Sequence, residues 1–460
     1  MEDLRLSEND AEESIHPRFV CDPAGLLHMV WKDNGSHHNA ILYRAGSGSD
    51  WGQSFTISHP DTHHNSPHIA IDPDRNLHTV FLRWTGIPWG DYDVGYRRYD
   101  HDLGAWGQEE RLTKFEGIGL SGQPTALCDA AGAPYVFWLW QDAPTRIWYR
   151  KQEGECWLPR EAVTGEDDQP NGYYGVALSP DGAIHCVWQD YRSGTAELYH
   201  SYLRDDVWSP SVAITNDGYA SVHPRLAPDA VGNIHLVYGG GRYLSQKIHV
   251  LFWDRVTETW SELDVFASAM AQPCVFLDVD PQSEDLHISW ADFVSGRMEI
   301  LYKHYDADTG LWDPTEQITS GNPEMRGDPE IGLDPQGNPH LAWWDMRDMT
   351  GQQEVYYTAA LDPSAVAERP GGLAAGLPLR IVPNPCRDRA TLYLEGGAAR
   401  SLAVFNSDGR LLRELPPASA GCGVVWDGRD RSGRRCAEGV YLVRGGAPDS
   451  RIVRRLVLMR

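Results

Sequence analysis

The residues best suited to chemistry in this chain are aromatic rings and arginines set singly among its loops. Trp89, Tyr173, Tyr174 and Tyr243 offer flat faces that stack on sugar rings. Arg146, Arg192, Arg242, Arg326 and Arg347 offer guanidinium forks that match carboxylates. In combination they describe a binding site for an acidic or neutral glycan, or for a protein surface of the same character. Two carboxylates about 5–9 Å apart across a pocket would make such a site hydrolytic. Glu116, Glu166, Asp167, Asp168, Glu324 and Asp328 are the loop acids placed to supply them. Sequence carries no distance, so no catalytic pair is named, and binding is favoured over catalysis.

Other chemistries are weaker. His59, His63, His64 and His68 crowd one loop region, with His37 and His38 in a neighbouring one. Exposed His-rich loops are more often solvated than ligating, so no metal and no cofactor are expected. The eight cysteines form no Cys-x-x-Cys pair. Cys386, Cys422 and Cys436 leave room for one disulfide of undecided pairing. There is no P-loop, dinucleotide glycine fingerprint or His-Glu-x-x-His.

The elements that must position these groups repeat along the chain. An apolar run, an Asp, a Gly or Asn turn, a His, two apolar residues, a Trp and an Asp recur with the anchor at His28, His78, Tyr135, His185, His235, His287 and His340. The gaps are 50, 57, 50, 50, 52 and 53 residues. A second landmark, Trp51, Trp106, Trp157, Trp208, Trp260 and Trp312, keeps the same period. Four short strand-like runs fill each period, as in Tyr174–Leu178, Ile184–Trp188, Glu197–Tyr202 and Val212–Thr215. This pattern predicts an all-β, seven-bladed β-propeller, one repeat per blade. The seventh repeat lacks its outer strand after Thr358. Leu4-Arg-Leu-Ser7 matches the ends of the other outer strands, so the N-terminus is expected to close the ring.

Repetition also separates structural residues from functional ones. The His anchor recurs in six blades, which points to a structural hydrogen bond. The Asp that ends the second strand, as in Trp188-Gln-Asp190-Tyr-Arg192 and Trp344-Asp345-Met-Arg347, is expected to cap its own turn and pair with the Arg.

Composition divides the chain. Residues 1–362 read as the propeller, 363–377 as a linker rich in Ala, Gly and Pro, and 378–460 as a small second domain. From residue 361 onward there are 16 Arg against 10 acids, a net +6. The remainder carries 24 basic and 55 acidic residues, a net −31. That acidity argues against nucleic acid as a partner. No apolar stretch is long enough for a membrane span. No secretion signal is visible at the N-terminus.

Two resemblances add to this reading. Ile381-Val-Pro-Asn-Pro385, Asp408-Gly-Arg410, Val425-Trp-Asp-Gly428, Asp430 with Gly433, and Gly439-Val-Tyr-Leu442 resemble, in their order, the Ig-like β-sandwich of flagellar hook-capping proteins and of type IX secretion C-terminal sorting domains. That resemblance implies bacterial export, attachment at the cell surface and contact with export machinery. The turns Asp100-His-Asp102-Leu-Gly104-Ala-Trp106 and Asp306-Ala-Asp308-Thr-Gly310-Leu-Trp312 resemble degenerate Asp boxes (BNR repeats) of the sialidase-like family. No Arg-Ile-Pro segment near the start accompanies them. The resulting expectation is a secreted or surface-displayed, carbohydrate- or protein-binding propeller. A diverged sialidase-like glycoside hydrolase or polysaccharide lyase, and an assembly scaffold, are the alternatives.

Overall fold

A computed structural model describes residues 3–359 except 9–11, 36–37, 87–91, 114–120, 141–144, 243–244, 271, 321–324 and 348–351. In the C-terminal part it describes 379–382, 389–394, 400–406, 410–418, 424–437, 439–445 and 452–458. Every described element is a strand or turn. The strands form seven antiparallel sheets between Leu4 and Thr358, and two more between Leu379 and Leu458.

Each of the first seven sheets is one blade, with its strands in sequence order from the channel outward. The exception is the seventh, whose outermost strand is Leu4–Arg5. Leu4 pairs with Tyr357 and Arg5 with Tyr356, so the chain start closes the ring. A repeated hydroxyl explains why that segment fits. In five of the other blades the outer strand is closed by a Ser or Thr whose Oγ accepts a third-strand N–H, as from Ile41 to Ser58 and from Val94 to Thr113 at 2.9 Å. Ser7 accepts from Val355 at 3.0 Å in the same way.

The outer Trp residues join neighbouring blades. Trp106, Trp157 and Trp208 meet the third-strand tyrosines Tyr43, Tyr96 and Tyr149 of the preceding blade edge-on, with ring centroids 5.2, 4.9 and 5.9 Å apart. Trp51 makes the same contact with Tyr357 at 5.0 Å, across the closure. Edge-to-face pairs of this kind add to the area they bury.

In five blades the anchor His makes a structural hydrogen bond within its own blade. His28, His78, His287 and His340 bond the hydroxyls of Tyr43, Tyr96, Tyr302 and Tyr357 at 2.6–2.8 Å. In blade 4 the partner is His200, at 3.0 Å. The Asp at the end of the first strand caps the following turn. Oδ1 of Asp22 accepts from Ala24 and Leu26, and Oδ1 of Asp229 from Val231 and Asn233.

The C-terminal strands form a three-stranded and a four-stranded sheet. Leu392 and Trp426 of the first and Leu402, Val404, Tyr441 and Leu456 of the second share one buried core. Cys436 is a free thiol there, while Cys386 and Cys422 lie outside the described residues.

Candidate functional site

The first strand of a propeller blade borders the central channel, and here five of these strands carry the same local irregularity. His16-Pro17-Arg18, Ser66-Pro67-His68, Gln123-Pro124-Thr125, His223-Pro224-Arg225 and Asp328-Pro329-Glu330 occupy equivalent places, each at a break in pairing register. The residue before each proline is left-handed, with φ of 56°, 48°, 51°, 56° and 48°. Such backbone costs about 1–3 kcal/mol per residue and persists only where its surroundings impose it. A bulge re-aims side chains, and all ten non-proline residues of these five segments line one cavity of about 470 Å3. Blade 4 contributes Tyr173, Tyr174 and Gly175, and blade 6 contributes Cys274 and Phe276. Gly175 has no room for a side chain: a Cβ would sit 2.9 Å from the Pro224 carbonyl oxygen.

The lining is dense in charge and in unspent polar atoms. Arg18 and Arg225 both lie over the Phe276 ring, 5.1 and 5.0 Å from its centroid. Arg18 pairs with Glu330 at 3.3 Å. Among the described residues no carboxylate pairs with Arg225, whose guanidinium donates only to the Pro224 carbonyl at 3.2 Å. His16 Nε2 lies 3.5 Å from Asp328, which also accepts from Trp344 Nε1 at 3.2 Å. Tyr173 meets His223 edge-on, with centroids 4.0 Å apart. Nδ1 of both His16 and His223 is buried without a partner among the described residues.

Burial sets the protonation states. It holds His16 below the usual imidazole range against the pull of Asp328, and it lowers His223 to about 4, with help from Arg225. His68 falls to about 3 for the same reason. Burial raises Glu330, opposed by Arg18 and Arg225, and raises the Tyr173 hydroxyl. At neutral pH the cavity therefore presents neutral imidazoles, a protonated phenol and, in Arg225, a cation with no carboxylate in ion-pair contact among the described residues.

The same burial makes stability depend on pH. His28, His185, His235 and His287 are also lowered to about 4. A His whose folded pKa lies below its unfolded value near 6.5 contributes stability above that value. The contribution is lost as pH falls towards the folded pKa, because the unfolded chain binds protons first. Asp278, raised to about 6 by burial, acts in the opposite sense below pH 6, as does Glu330. Six such imidazoles outweigh two carboxyls. The thermal midpoint is expected to fall steadily from about pH 6.5 to about pH 4, and a flat profile over that window would refute this assignment.

The structure gathers some of the residues singled out from sequence and scatters others. Tyr173 and Tyr174 line the cavity, and Tyr174 donates its hydroxyl to the Gln123 carbonyl at 2.5 Å. Asp328 lines it too. Arg326 is only 1% exposed and bonds Asp345 at 2.8 Å and Glu299. Its stem faces a second cavity beside the first. Arg192 is held by Asp190 and Asp168 and stacks on Tyr199 at 3.8 Å. Arg347 is held by Asp345 and Asp3 and stacks on Tyr356 at 4.1 Å. The second-strand Asp thus caps its turn, with Asp190 and Asp345 accepting from the N–H of Arg192 and Arg347. Arg242 lies over Tyr219 at 5.0 Å, and Arg146 opens the third strand of blade 3 opposite Trp140. Glu166 and Asp167 are exposed, and Asp168 is occupied by Arg192 and Ser211. Trp89, Tyr243, Glu116, Glu324 and His37 lie outside the described residues.

The His-rich stretch separates. His68 enters the channel cavity, His64 sits buried 3.4 Å from Glu109, and His63 packs edge-on against His38 and Trp84. Sequence reasoning passed over His16, Arg18, His223, Arg225 and Glu330, and weighed His68 only as part of a His-rich loop. The signal that would have found them is the X-Pro-Y segment recurring at the start of five first strands.

No protein-family model matches the chain, and no curated protein does. Several solved structures are similar. An ulvan lyase from a new polysaccharide lyase family has a TM-score of 0.52 at 10% identity, over 78% of this chain and 96% of that one. An α-L-arabinanase of Penicillium chrysogenum has a TM-score of 0.48 at 11% identity, over 78% and 97%. PorZ, a surface component of the type-IX secretion system of Porphyromonas gingivalis, has a TM-score of 0.40 at 16% identity, over 97% of this chain and 59% of that one. At such identities the likeness to the lyase is one of fold, the β-propeller. No helix among the described residues is long and apolar enough to cross a membrane.

Proposed function

We propose that the protein binds an anionic glycan at the mouth of the propeller channel, with a sugar carboxylate seated on Arg225. One observation carries this reading: a guanidinium without a carboxylate partner among the described residues lines a cavity that also holds an aromatic rim and imidazole nitrogens unpartnered among those residues. A partly desolvated cation of this kind gains most from a planar anion that accepts two parallel hydrogen bonds. Tyr173, 40% exposed beside His223, supplies a face for the sugar ring. The similar ulvan lyase is described bound to a glucuronate–rhamnose 3-sulfate chain, which is in keeping with an acidic ligand on this fold.

The contact of Tyr173 with His223 favours a second reading, a lyase acting on the same ligand. β-Elimination from a uronate needs a base to take the proton next to the carboxylate, an acid for the leaving oxygen, and a cation on the carboxylate. A neutral His223, a protonated Tyr173 and Arg225 have those properties. The C-terminal sandwich, in this proposal, serves export and surface display of the propeller, which places the ligand outside the cell.

The test is a glycan array probed with the full-length protein, with ultraviolet absorbance of the same acidic oligosaccharides followed over time. Retention of uronate- or sialate-bearing glycans without new absorbance is the expected result. New absorbance from an unsaturated uronate selects the lyase. Indifference to acidic glycans in both assays would remove the proposal and shift attention to a protein partner.

A further inference from the structure

Two arginines stand at equivalent places in blades 1 and 5 of the channel cavity, and only one of them meets a carboxylate among the described residues. Arg18 and Arg225 each donate to the carbonyl of the preceding proline, at 2.7 and 3.2 Å, and both lie over the Phe276 ring. Glu330 stands 3.3 Å from Arg18, and the side chains of Arg18 and Glu330 are only 17% and 18% exposed. Oε2 of Glu330 is buried and takes no hydrogen bond among the described residues. The neighbouring carboxylates are occupied. Asp328 accepts from Trp344 Nε1 at 3.2 Å, and Asp278, outside the lining, accepts from the N–H of Val279 and Leu333 at 2.9 and 3.0 Å. His16, His68, His223, Cys274, Tyr173 and Tyr174 are the other titratable groups of the lining. Burial holds those imidazoles neutral and keeps the thiol and the phenols protonated.

With Asp328 and Glu330 ionised, the two cations of the lining are balanced before a ligand arrives. A ligand carboxylate on Arg225 adds a negative charge beside the Arg18–Glu330 pair, because both guanidiniums share the Phe276 ring. Neighbouring carboxylates withdrawn from bulk water do not both stay ionised, and one of them takes a proton. We infer that an anionic glycan enters this site together with one proton, which Glu330 takes up and offers to the ligand carboxylate as an O–H donor. The inference rests on the anionic site proposed above. Glu330 is the recipient because its Oε2 has room for a proton, whereas N–H donors hold Asp328 and Asp278 as acceptors. Burial already moves Glu330 towards its acid form and moves the imidazoles away from theirs. The acid keeps one oxygen for Arg18 while its hydroxyl turns to the ligand.

The experiment is isothermal titration of the full-length protein with a disaccharide carrying one glucuronate, in phosphate and in Tris. The difference in buffer ionisation heat reads the protons exchanged. Uptake approaching one proton per ligand is expected, with an affinity that falls by about tenfold or more from about pH 6 to about pH 8, because the bound state holds the extra proton. Glu330→Gln keeps a donor in place without the charge. It is expected to bind with no proton exchanged, with one affinity across that range, and about tenfold more tightly than the parent at the alkaline end. Infrared difference spectra of the parent, with and without the disaccharide, read the same event without a variant, as a new protonated-carboxyl band. Binding with no proton exchanged would overturn the inference and leave the anionic site standing. Uptake that persists in Glu330→Gln, or that brings no new carboxyl band in the parent, would assign the proton to an imidazole and overturn it as well. Absence of binding altogether would overturn both the inference and the site.

Discussion

Arg225→Met is expected to weaken binding of an acidic oligosaccharide by roughly 10–100-fold while leaving the fold intact. The magnitude follows from the net value of hydrogen bonds to a charged group, about 1.5–3 kcal/mol, with each 1.4 kcal/mol worth a factor of ten. The choice of residue matters. Arg18 also lines the cavity but is paired with Glu330, so its removal would leave a buried carboxylate without its cation and confound binding with stability. Arg225 has no such partner among the described residues, and methionine keeps its apolar stem against Phe276. Arg225→Lys should recover only part of the loss, since an ammonium cannot form the planar fork. Titration of one uronate oligosaccharide and its carboxyl-reduced counterpart into the three proteins reads the effect. The reduced sugar should be indifferent to the substitution. Unchanged affinity of the acidic sugar for Arg225→Met would show that the carboxylate is held elsewhere.

The propeller was legible in the sequence because its signals are local and repeated. A Gly turn, a His and a Trp recurring about every fifty residues must form the same unit each time, and the early end of the seventh repeat locates the missing strand at the N-terminus. The channel site was less legible for a physical reason. Arg18 and Arg225 lie more than two hundred positions apart, and only ring closure brings both over Phe276. Their side chains enter the channel because a left-handed residue and a bulge precede them. Alternation along an ideal strand does not describe such geometry. The preference for singular over repeated residues also worked against the site. X-Pro-Y occurs five times, and a preference for singular residues passes over such a repeat, although only the two His-Pro-Arg segments present the same side chains. Arg326 shows the converse. It is singular in sequence, yet its charge is taken up by Asp345 and Glu299.

Deleting residues 1–8 is expected to destabilise the propeller by about 5 kcal/mol or more, which is comparable with the whole stability of many domains. Three losses coincide. Leu6 is fully buried among Phe19, Leu27, Met29 and Trp31 of blade 1 and Val355 and Tyr357 of blade 7. Removing a leucine from such a core costs about 2–5 kcal/mol. Glu354 is buried and would lose both the Arg5 guanidinium at 2.7 Å and the Ser7 hydroxyl at 2.6 Å, which weakens the compensation of a buried charge. The strand Glu354–Thr358 would become an open edge, free to pair with another chain. Thermal unfolding should therefore shift sharply downward, and size-exclusion chromatography should show association beyond that of the parent protein. Ser7→Ala isolates one component, since it removes the hydroxyl that donates to Glu354 and accepts from Val355. It is expected to cost about 1–3 kcal/mol. A truncated protein that melts within a few degrees of the parent and elutes in the same assembly state would show that the ring holds without its N-terminal strand. In that case the Trp51–Tyr357 contact and the core of blades 7 and 1 would suffice to close it.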